Sequence, residues 1–352
     1  MKIQSYEKFW KRMNDKATIK KFPLRAVFEL TYRCNFNCGH CYLPSNFRKR
    51  RKELTTDEVC VVLKSLRDIG CLYIGFTGGD PFMRNDFVDI LYYAKKCGFM
   101  VIINTNGSLI DSNMIRELVL VQPHRIDITL PAMNSTTFDT ITGTTGLRDQ
   151  VFAVVKNLRE KRLNVGVKTC VLQANKKELQ SIEDFAGSLY LPHSLDFNVL
   201  PCLDGTKKPY YYKARHINHL LRLDDERGGG GSQYNWYTFD RHKFFNCGGG
   251  RHSVAITPQG KLKICINVNE PQYSILNSSF ENAYEKLKKF AMSIKPDERY
   301  QCDTCPLRMY CSWCPALSWL EHRNFSTCSR TCRKLAQVRQ KIKKPVQRRC
   351  TN

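Results

Sequence analysis

Residues 24–41 read L-R-A-V-F-E-L-T-Y-R-C-N-F-N-C-G-H-C. The segment up to Arg33 is rich in apolar, aromatic and β-branched residues, the composition of a strand. Directly after it, three thiols fall within eight residues, spaced Cys-x3-Cys-x2-Cys. A strand that empties into a loop of ligand-type side chains puts them at its carboxyl end. In parallel α/β sheets that is the end where ligands bind. The meaning of the loop therefore depends on whether such a sheet follows.

Downstream, strands and helices alternate. Val59, Val62, Leu63 and Leu66 recur at helical spacing from Thr56 to Ile69, behind the capping residues Thr55 and Thr56. The run L-Y-I-G-F (72–76) ends in T-G-G-D-P (77–81), and a helix pattern covers Asp86 to Cys97. M-V-I-I-N-T-N-G (100–107) reads as strand and turn, followed by a helix over 112–121 and the strand R-I-D-I-T-L (125–130). Then come a helix over 148–161, the strand N-V-G-V-K-T-C-V-L (164–172), a helix over 177–189 and the strand L-D-F-N-V-L (195–200). Six strands alternating with helices imply right-handed βαβ units and a parallel sheet. Periodicity does not choose between a doubly wound open sheet and an incomplete barrel. In both, Cys34, Gly78-Gly79, Asn104-Thr105, Thr129 and Lys168 fall on the ligand-binding rim.

The chain has 352 residues, 42% of them apolar, enough for one large domain and a smaller one. The first 25 residues are mixed and charged, and no stretch reaches the ~18 apolar residues of a membrane span, so a cytoplasmic protein is expected. In a reducing compartment, 17 cysteines argue for metal ligation rather than disulfides. The formal charge of +24 is concentrated in Arg48 to Lys52, Lys286 to Lys289 and Lys341 to Arg349. Any one run reads as a solvated face or frayed tail, but the total favours an acidic peptide or nucleic-acid partner. The alternation breaks after residue 203. Residues 204–246 are polar and aromatic, with Tyr210-Tyr211-Tyr212 and G-G-G-G-S at 228–232, a flexible coil with the look of a designed linker. From Cys247 onward the chain is cysteine-rich, as in a small fold organised by metal.

Three thiolates at this spacing can wrap a cubic iron–sulfur cluster and leave one iron without a protein ligand. Tetrahedral zinc with His40 as fourth ligand is the structural competitor. The signature C34-N-F-N-C38-G-H-C41-Y resembles the radical S-adenosylmethionine (SAM) superfamily, and the resemblance extends over residues 24–203. It implies a partial (β/α)6 TIM-like barrel and a [4Fe-4S] cluster on Cys34, Cys38 and Cys41. The open iron would be chelated by the amino and carboxylate groups of SAM, and one electron would cleave the sulfonium to a 5′-deoxyadenosyl radical that abstracts hydrogen from substrate. By the same resemblance His40 lies against the adenine through its backbone. Gly78, Gly79, Asp80 and Pro81 meet the methionyl amino group, with Asp80 in place of the commoner Glu. Asn104, in the turn after the third strand, joins the cofactor-binding set. Thr129 and Lys168 are candidates for the ribose or the methionyl carboxylate.

Further on, Cys247 is followed after twelve residues by Gly260 and after four more by Cys265, and C302-D-T-C305-P-L-R-M-Y-C311-S-W-C314 precedes Cys328 and Cys332. The spacing resembles a SPASM domain, the auxiliary-cluster extension of radical SAM enzymes, over residues 247–335. It departs only in the two-residue interval before Cys314. The resemblance implies two auxiliary [4Fe-4S] clusters. Cluster I would use Cys247, Cys265 and Cys314, with Cys332, Cys202, Cys350 or a substrate group as fourth ligand. Cluster II would use Cys302, Cys305 and Cys311, closed by Cys328 or Cys332. Residues 1–23 would be an N-terminal extension and 336–352 a basic tail. Cys60, Cys71, Cys97 and Cys170 fall in helix or strand patterns and read as small buried apolar residues.

The resemblance is closest to enzymes that crosslink, or excise backbone from, ribosomally made precursor peptides. It implies an acidic leader on the substrate, an electron donor such as flavodoxin or ferredoxin, and no membrane. Some 23 residues precede the first strand, too few for a peptide-recognition domain, so a separate small recognition protein is expected. Sulfatase-maturase-like oxidation is a second reading, weakened because Ile266-Asn267 stands after Cys265 where that family carries an Asp. Tetrapyrrole or other small-molecule chemistry is a third. RNA modification has only the charge and the three tyrosines behind it. An iron–sulfur electron carrier would need neither the six βα units nor G-G-D-P.

Overall fold

In the computed structural model, residues 22–48, 52–226, 244–245 and 247–342 are described, with a few positions between 12 and 19. The Gly-rich stretch 228–232, Lys49 to Arg51, Cys350 and most of both proposed terminal segments lie outside the described residues.

Nine strands form one sheet, in the order β6-β5-β4-β3-β2-β1-β7-β8-β9. β1 (Arg25–Thr31), β2 (Tyr73–Gly78), β3 (Met100–Thr105), β4 (Arg125–Thr129), β5 (Val165–Cys170) and β6 (His193–Asp196) are parallel neighbours in chain order. That order settles the ambiguity left by periodicity. A doubly wound sheet reverses direction at a switch point. Here the order never reverses across the six, so successive right-handed crossovers place their helices on one face. The result is the singly wound, open (β/α)6 arrangement of a partial barrel.

The helices are α1 (Thr56–Asp68), α2 (Phe87–Lys96), α3 (Ser112–Val121), α4 (Ser135–Thr142), α5 (Arg148–Glu160) and α6 (Leu179–Ser188). α1 starts at a capping box in which Thr55 accepts from Glu58 N–H and Glu58 accepts from Thr55 N–H. α4 was not expected; its cap is Asn134, which accepts from Thr136 and Thr137 N–H. β6 lies two residues earlier than its apolar run, over His193–Asp196.

Pairing register sorts the strand residues by face. Ala26, Phe28, Ile74, Phe76, Val101, Ile103, Ile126 and Ile128 are buried in the main core with the helices. The alternate positions include Glu29, Thr77, Asn104, Asp127, Thr129, Lys168 and Asp196. A polar face on an otherwise buried parallel sheet has to be lined for something other than packing.

After β6 come a 3-10 turn (Lys208–Tyr212) and α7 (Asn218–Glu226). The cysteine-rich region does not begin as a separate body. β7 (Ser253–Ile256) pairs parallel with β1 on its free side, and β8 (Lys261–Lys263) and β9 (Tyr273–Ser274) continue the sheet antiparallel. α8 (Phe280–Ser293), α9 (Pro315–His322) and α10 (Arg330–Ile342) complete the described chain. α10 buries Leu335, Ala336 and Arg339, so residues 336–342 are packed helix rather than tail. Lys286 and Lys289 lie exposed on α8, the solvated face expected of that run.

Candidate active site and metal centres

β1 delivers the chain to Cys34, and the cysteine loop is held from several sides. Asn37 N–H donates to Thr142 O at the end of α4 (2.6 Å). The Arg48 guanidinium donates to Asn37 Oδ1 (2.8 Å) and to the carbonyls of Phe36, Cys38 and Leu43 (3.4–3.5 Å). The first cation of the basic run is therefore a clasp on the loop rather than a solvated charge. Tyr212 rests on the loop from outside; a Cβ on Gly39 would come within 2.2 Å of its phenol.

Burial raises the Cys34 thiol to about 11, Cys38 to about 12 and Cys41 above its ordinary value, and the charges of neighbouring thiols add to the rise at Cys34 and Cys38. Burial, then Arg48, lowers His40 to about 4, so its imidazole is neutral. His40 Nδ1 is buried with no hydrogen-bond partner among the described residues. Among those residues no three His, Cys, Asp or Glu side chains close around a single ion. Three neighbouring thiols beside a fixed guanidinium are a donor set that, once deprotonated, suits an anionic, thiolate-bound iron cluster.

Two more thiols stand beside this loop. Cys202 Sγ contacts Cys41 O (3.5 Å). Cys170 lies opposite Asp196 on the polar face, is half-buried and packs against the main core, and burial, then the charges of Asp196 and Cys38, raises its thiol.

The G-G-D-P segment packs against the same loop. Gly78 has φ +131° and a Cβ there would lie 2.0 Å from Thr31 O; one on Gly79 would lie 2.1 Å from Arg33 O. Only glycine allows β2 to end flush against the residues leading into Cys34. Pro81 opens a 3-10 turn (Pro81–Met83). Asp80 is fully buried; it accepts from Phe82 N–H (3.0 Å), Thr105 Oγ1–H (2.8 Å) and Asn106 N–H (2.8 Å). Burial raises it to about 6, against those three bonds. Both carboxylate oxygens thus take protein donors.

Asn104 and Lys168 do come together. Lys168 Nζ lies 3.0 Å from Asn104 Oδ1 and 2.7 Å from Asp127 Oδ2, and Arg125 Nε donates to Asp127 Oδ1 (2.6 Å). Gly166 makes room, since a Cβ there would meet Arg125 Nη2 at 2.3 Å. Thr129 pairs in register with Lys168 and is exposed at the strand end. Asp127 was missed from sequence, although it shares the parity of Arg125 and Thr129 in R-I-D-I-T-L.

Glu29 was missed as well. It is buried on the polar face with Lys263 Nζ at 3.0 Å, and it accepts from the hydroxyls of Tyr42 (2.8 Å) and Tyr32 (3.3 Å). Tyr42 follows Cys41, and Lys263 precedes Cys265 by two residues, so one buried ion pair joins the first cysteine loop to the second array.

In that array, Cys302, Cys305, Cys311 and Cys328 line one cavity of about 80 Å³ together with Arg308 and Arg333. Cys332 is not among its walls; it is buried, with Sγ 3.7 Å from Ser312 O. Burial raises the Cys314 thiol, with Cys265, Cys247 and Cys332 adding to the rise, and Cys332 adds likewise at Cys311. Cys332 thus stands between the two groups, while Cys202 belongs to the first loop.

Residues 28–186 match the family model described as the Radical SAM superfamily. The Fe-coproporphyrin III synthase of Methanosarcina barkeri is 28% identical over 57% of this chain, which spans about half (48%) of that protein's length. The antilisterial bacteriocin subtilosin biosynthesis protein AlbA of Bacillus subtilis is 27% identical over 83% of this chain and 67% of its own. Among solved structures, Streptococcus suis SuiB bound to S-adenosylmethionine superposes with a TM-score of 0.74 at 16% identity, covering 94% of this chain and 84% of that one. SuiB bound to its precursor peptide SuiA gives 0.69. No described helix is long and apolar enough to cross a membrane. A singly wound parallel sheet with a Cys-x3-Cys-x2-Cys loop at its first strand end is thus what the residues matching the Radical SAM superfamily model, 28–186, build in this chain.

Proposed function

We propose that the protein modifies a ribosomally made precursor peptide by crosslinking it or excising backbone from it. Cys34, Cys38 and Cys41 would hold a [4Fe-4S] cluster, which together with S-adenosylmethionine supplies one-electron hydrogen abstraction when bound. The observation that carries the reading is the site itself: three half-buried thiols, on a loop clasped by Arg48, at the carboxyl end of β1 beside a polar sheet face. Asn104, Thr129 and Lys168 on that face would orient the cofactor, with Asp127 holding the Lys168 ammonium. Gly78, Gly79 and Pro81 would offer backbone, and Asp80 would brace them. His40 would bring its neutral ring and loop backbone to the adenine side.

Cys302, Cys305, Cys311 and Cys328 would hold one auxiliary cluster; Cys247, Cys265 and Cys314 would hold the other, with Cys332 as a candidate fourth ligand. Similarity to the subtilosin protein and the shared fold with SuiB support a peptide substrate. The charge of +24 supports an acidic leader or a small recognition partner. A second reading, tetrapyrrole chemistry, is favoured by the similarity to the coproporphyrin protein. Nucleic-acid stacking has one exposed tyrosine behind it, Tyr211, since Tyr210 donates to Glu321 and Tyr212 covers Gly39.

Protein loaded anaerobically and given S-adenosylmethionine with a reductant should release 5′-deoxyadenosine. The triple variant Cys34→Ala, Cys38→Ala, Cys41→Ala should release none, while losing about four of about twelve irons. Deoxyadenosine from that variant would overturn the assignment. Mass loss in a co-expressed precursor peptide separates the peptide reading from the tetrapyrrole one.

A further inference from the structure

The turn after β3, N-T-N-G-S (104–108), touches the first cysteine loop through a closed ring of side chains. Asn106 Oδ1 accepts from both Ser108 N–H (2.9 Å) and Ser108 Oγ–H (2.7 Å). Those bonds occupy its lone pairs and fix which way the amide faces. The Nδ2 group is then directed at the cysteine loop, where it donates to Asn35 Oδ1 (2.9 Å) and to Cys34 Sγ (3.7 Å). Asn35 closes the ring by donating to Ser108 Oγ (2.7 Å). Behind the ring, Asp80 accepts the Asn106 backbone N–H, so the G-G-D-P segment anchors the residue that reaches Cys34. Phe36 N–H gives the same sulfur a second donor (3.4 Å).

We infer that Asn106 is a positioning residue whose carboxamide N–H is held on the Cys34 sulfur to raise the reduction potential of the cluster that Cys34 would ligate. This rests on the reading of Cys34 as a ligand. A donor on a ligating sulfur stabilises the added negative charge of the reduced state more than the oxidised state, so hydrogen bonds to sulfur set cluster potentials. The electron still comes from the external donor; Asn106 changes only how readily it is accepted.

The test is an EPR-monitored redox titration of the anaerobically loaded full chain, following the signal that changes when S-adenosylmethionine is added. Asn106→Ala should keep its iron and show a several-fold smaller reduced fraction at a fixed potential. Tenfold corresponds to about 59 mV for a one-electron couple. Ser108→Ala, which keeps the donor and loosens only its clasp, should shift less. Asn106→Asp keeps the acceptor for Ser108 and turns the donor into an anion, so its potential should fall furthest. A wild-type potential in Asn106→Ala overturns the inference. If the Ala variant takes up no cluster, the Asp variant decides by the same criterion. Failure of the underlying reading looks different: Cys34→Ala would then retain the SAM-responsive signal.

Discussion

Replacing Lys263 by Met removes the ammonium from a pair in which neither side chain is exposed to solvent. Glu29 keeps two phenol donors, Tyr42 at 2.8 Å and Tyr32 at 3.3 Å, but loses the opposite charge at 3.0 Å. Leaving one member of a buried ion pair uncompensated costs about 3–5 kcal/mol. With an unfolding entropy of about 2.1 cal/mol/K per residue over 352 residues, that is a fall in melting temperature of roughly 4–7 °C. The double variant Glu29→Gln, Lys263→Met removes the stranded charge and retains an acceptor for Tyr42. Its cost is that of an ordinary hydrogen-bond rearrangement, about 1–2 kcal/mol, so it should melt above the single variant. Anaerobic thermal unfolding at one scan rate, with iron content measured alongside, checks both values. A single variant melting within about 1 °C of the parent would refute the argument, because the pair would then be solvated enough to lose a partner freely. A double variant melting below the single one would refute it too, by showing that packing rather than charge is at stake.

Two further outcomes follow from the cysteine geometry and from a buried amine. Cys328→Ala should lose the irons of the cluster housed by the 302–305–311 cavity, about four per chain, whereas Cys332→Ala should leave that cluster's spectrum in place; iron analysis with Mössbauer spectroscopy distinguishes them. Lys213, packed over the Tyr210 ring, is lowered by burial from 10.5 to about 8, with the Glu321 charge acting the other way. Between those values the unfolded chain holds the extra proton, so this residue's contribution to stability rises with pH from about 8 to 10.5. The difference in melting temperature between parent and Lys213→Met should therefore change across that window, and a flat difference would show that the amine is solvated.

The parallel sheet was legible because each βα unit carries its own local signals: the alternation of apolar runs, the capping residues Thr55 and Thr56, and glycine at the strand ends. Two things were not legible from local pattern. α4 lies in a Thr-rich stretch with weak helix propensity, and it forms because Phe138 and Ile141 are buried against the barrel core. β7 to β9 are four, three and two residues long, too short for periodicity to register, and they exist because the free edge of β1 offers a partner. At the site, the cysteine ligand candidates could be read from spacing alone, since thiols that close in sequence have few other uses. Their polar supports could not. Glu29, Asp127 and Arg48 each read as an ordinary charge, and only the pairing register and the loop geometry put them on the inner face or on a backbone carbonyl.

Asp80 is where motif and geometry part most usefully. A carboxylate beside a glycine pair at a strand end invites the expectation of a ligand contact. Here both oxygens are already occupied: one by the first N–H of the 3-10 turn, the other by the hydroxyl of Thr105 and the backbone of Asn106. Three donors converging on a fully buried group leave no room for a longer side chain, because an extra methylene would have to displace the β3 turn or the strand end that Gly78 and Gly79 hold against Thr31 and Arg33. Asp rather than Glu at this position therefore follows from what it binds. The carboxylate stitches the end of β2 to β3, and through Asn106 to Cys34. The segment reaches the cysteine loop through the protein's own hydrogen bonds, and that route accounts for its burial and its glycines together.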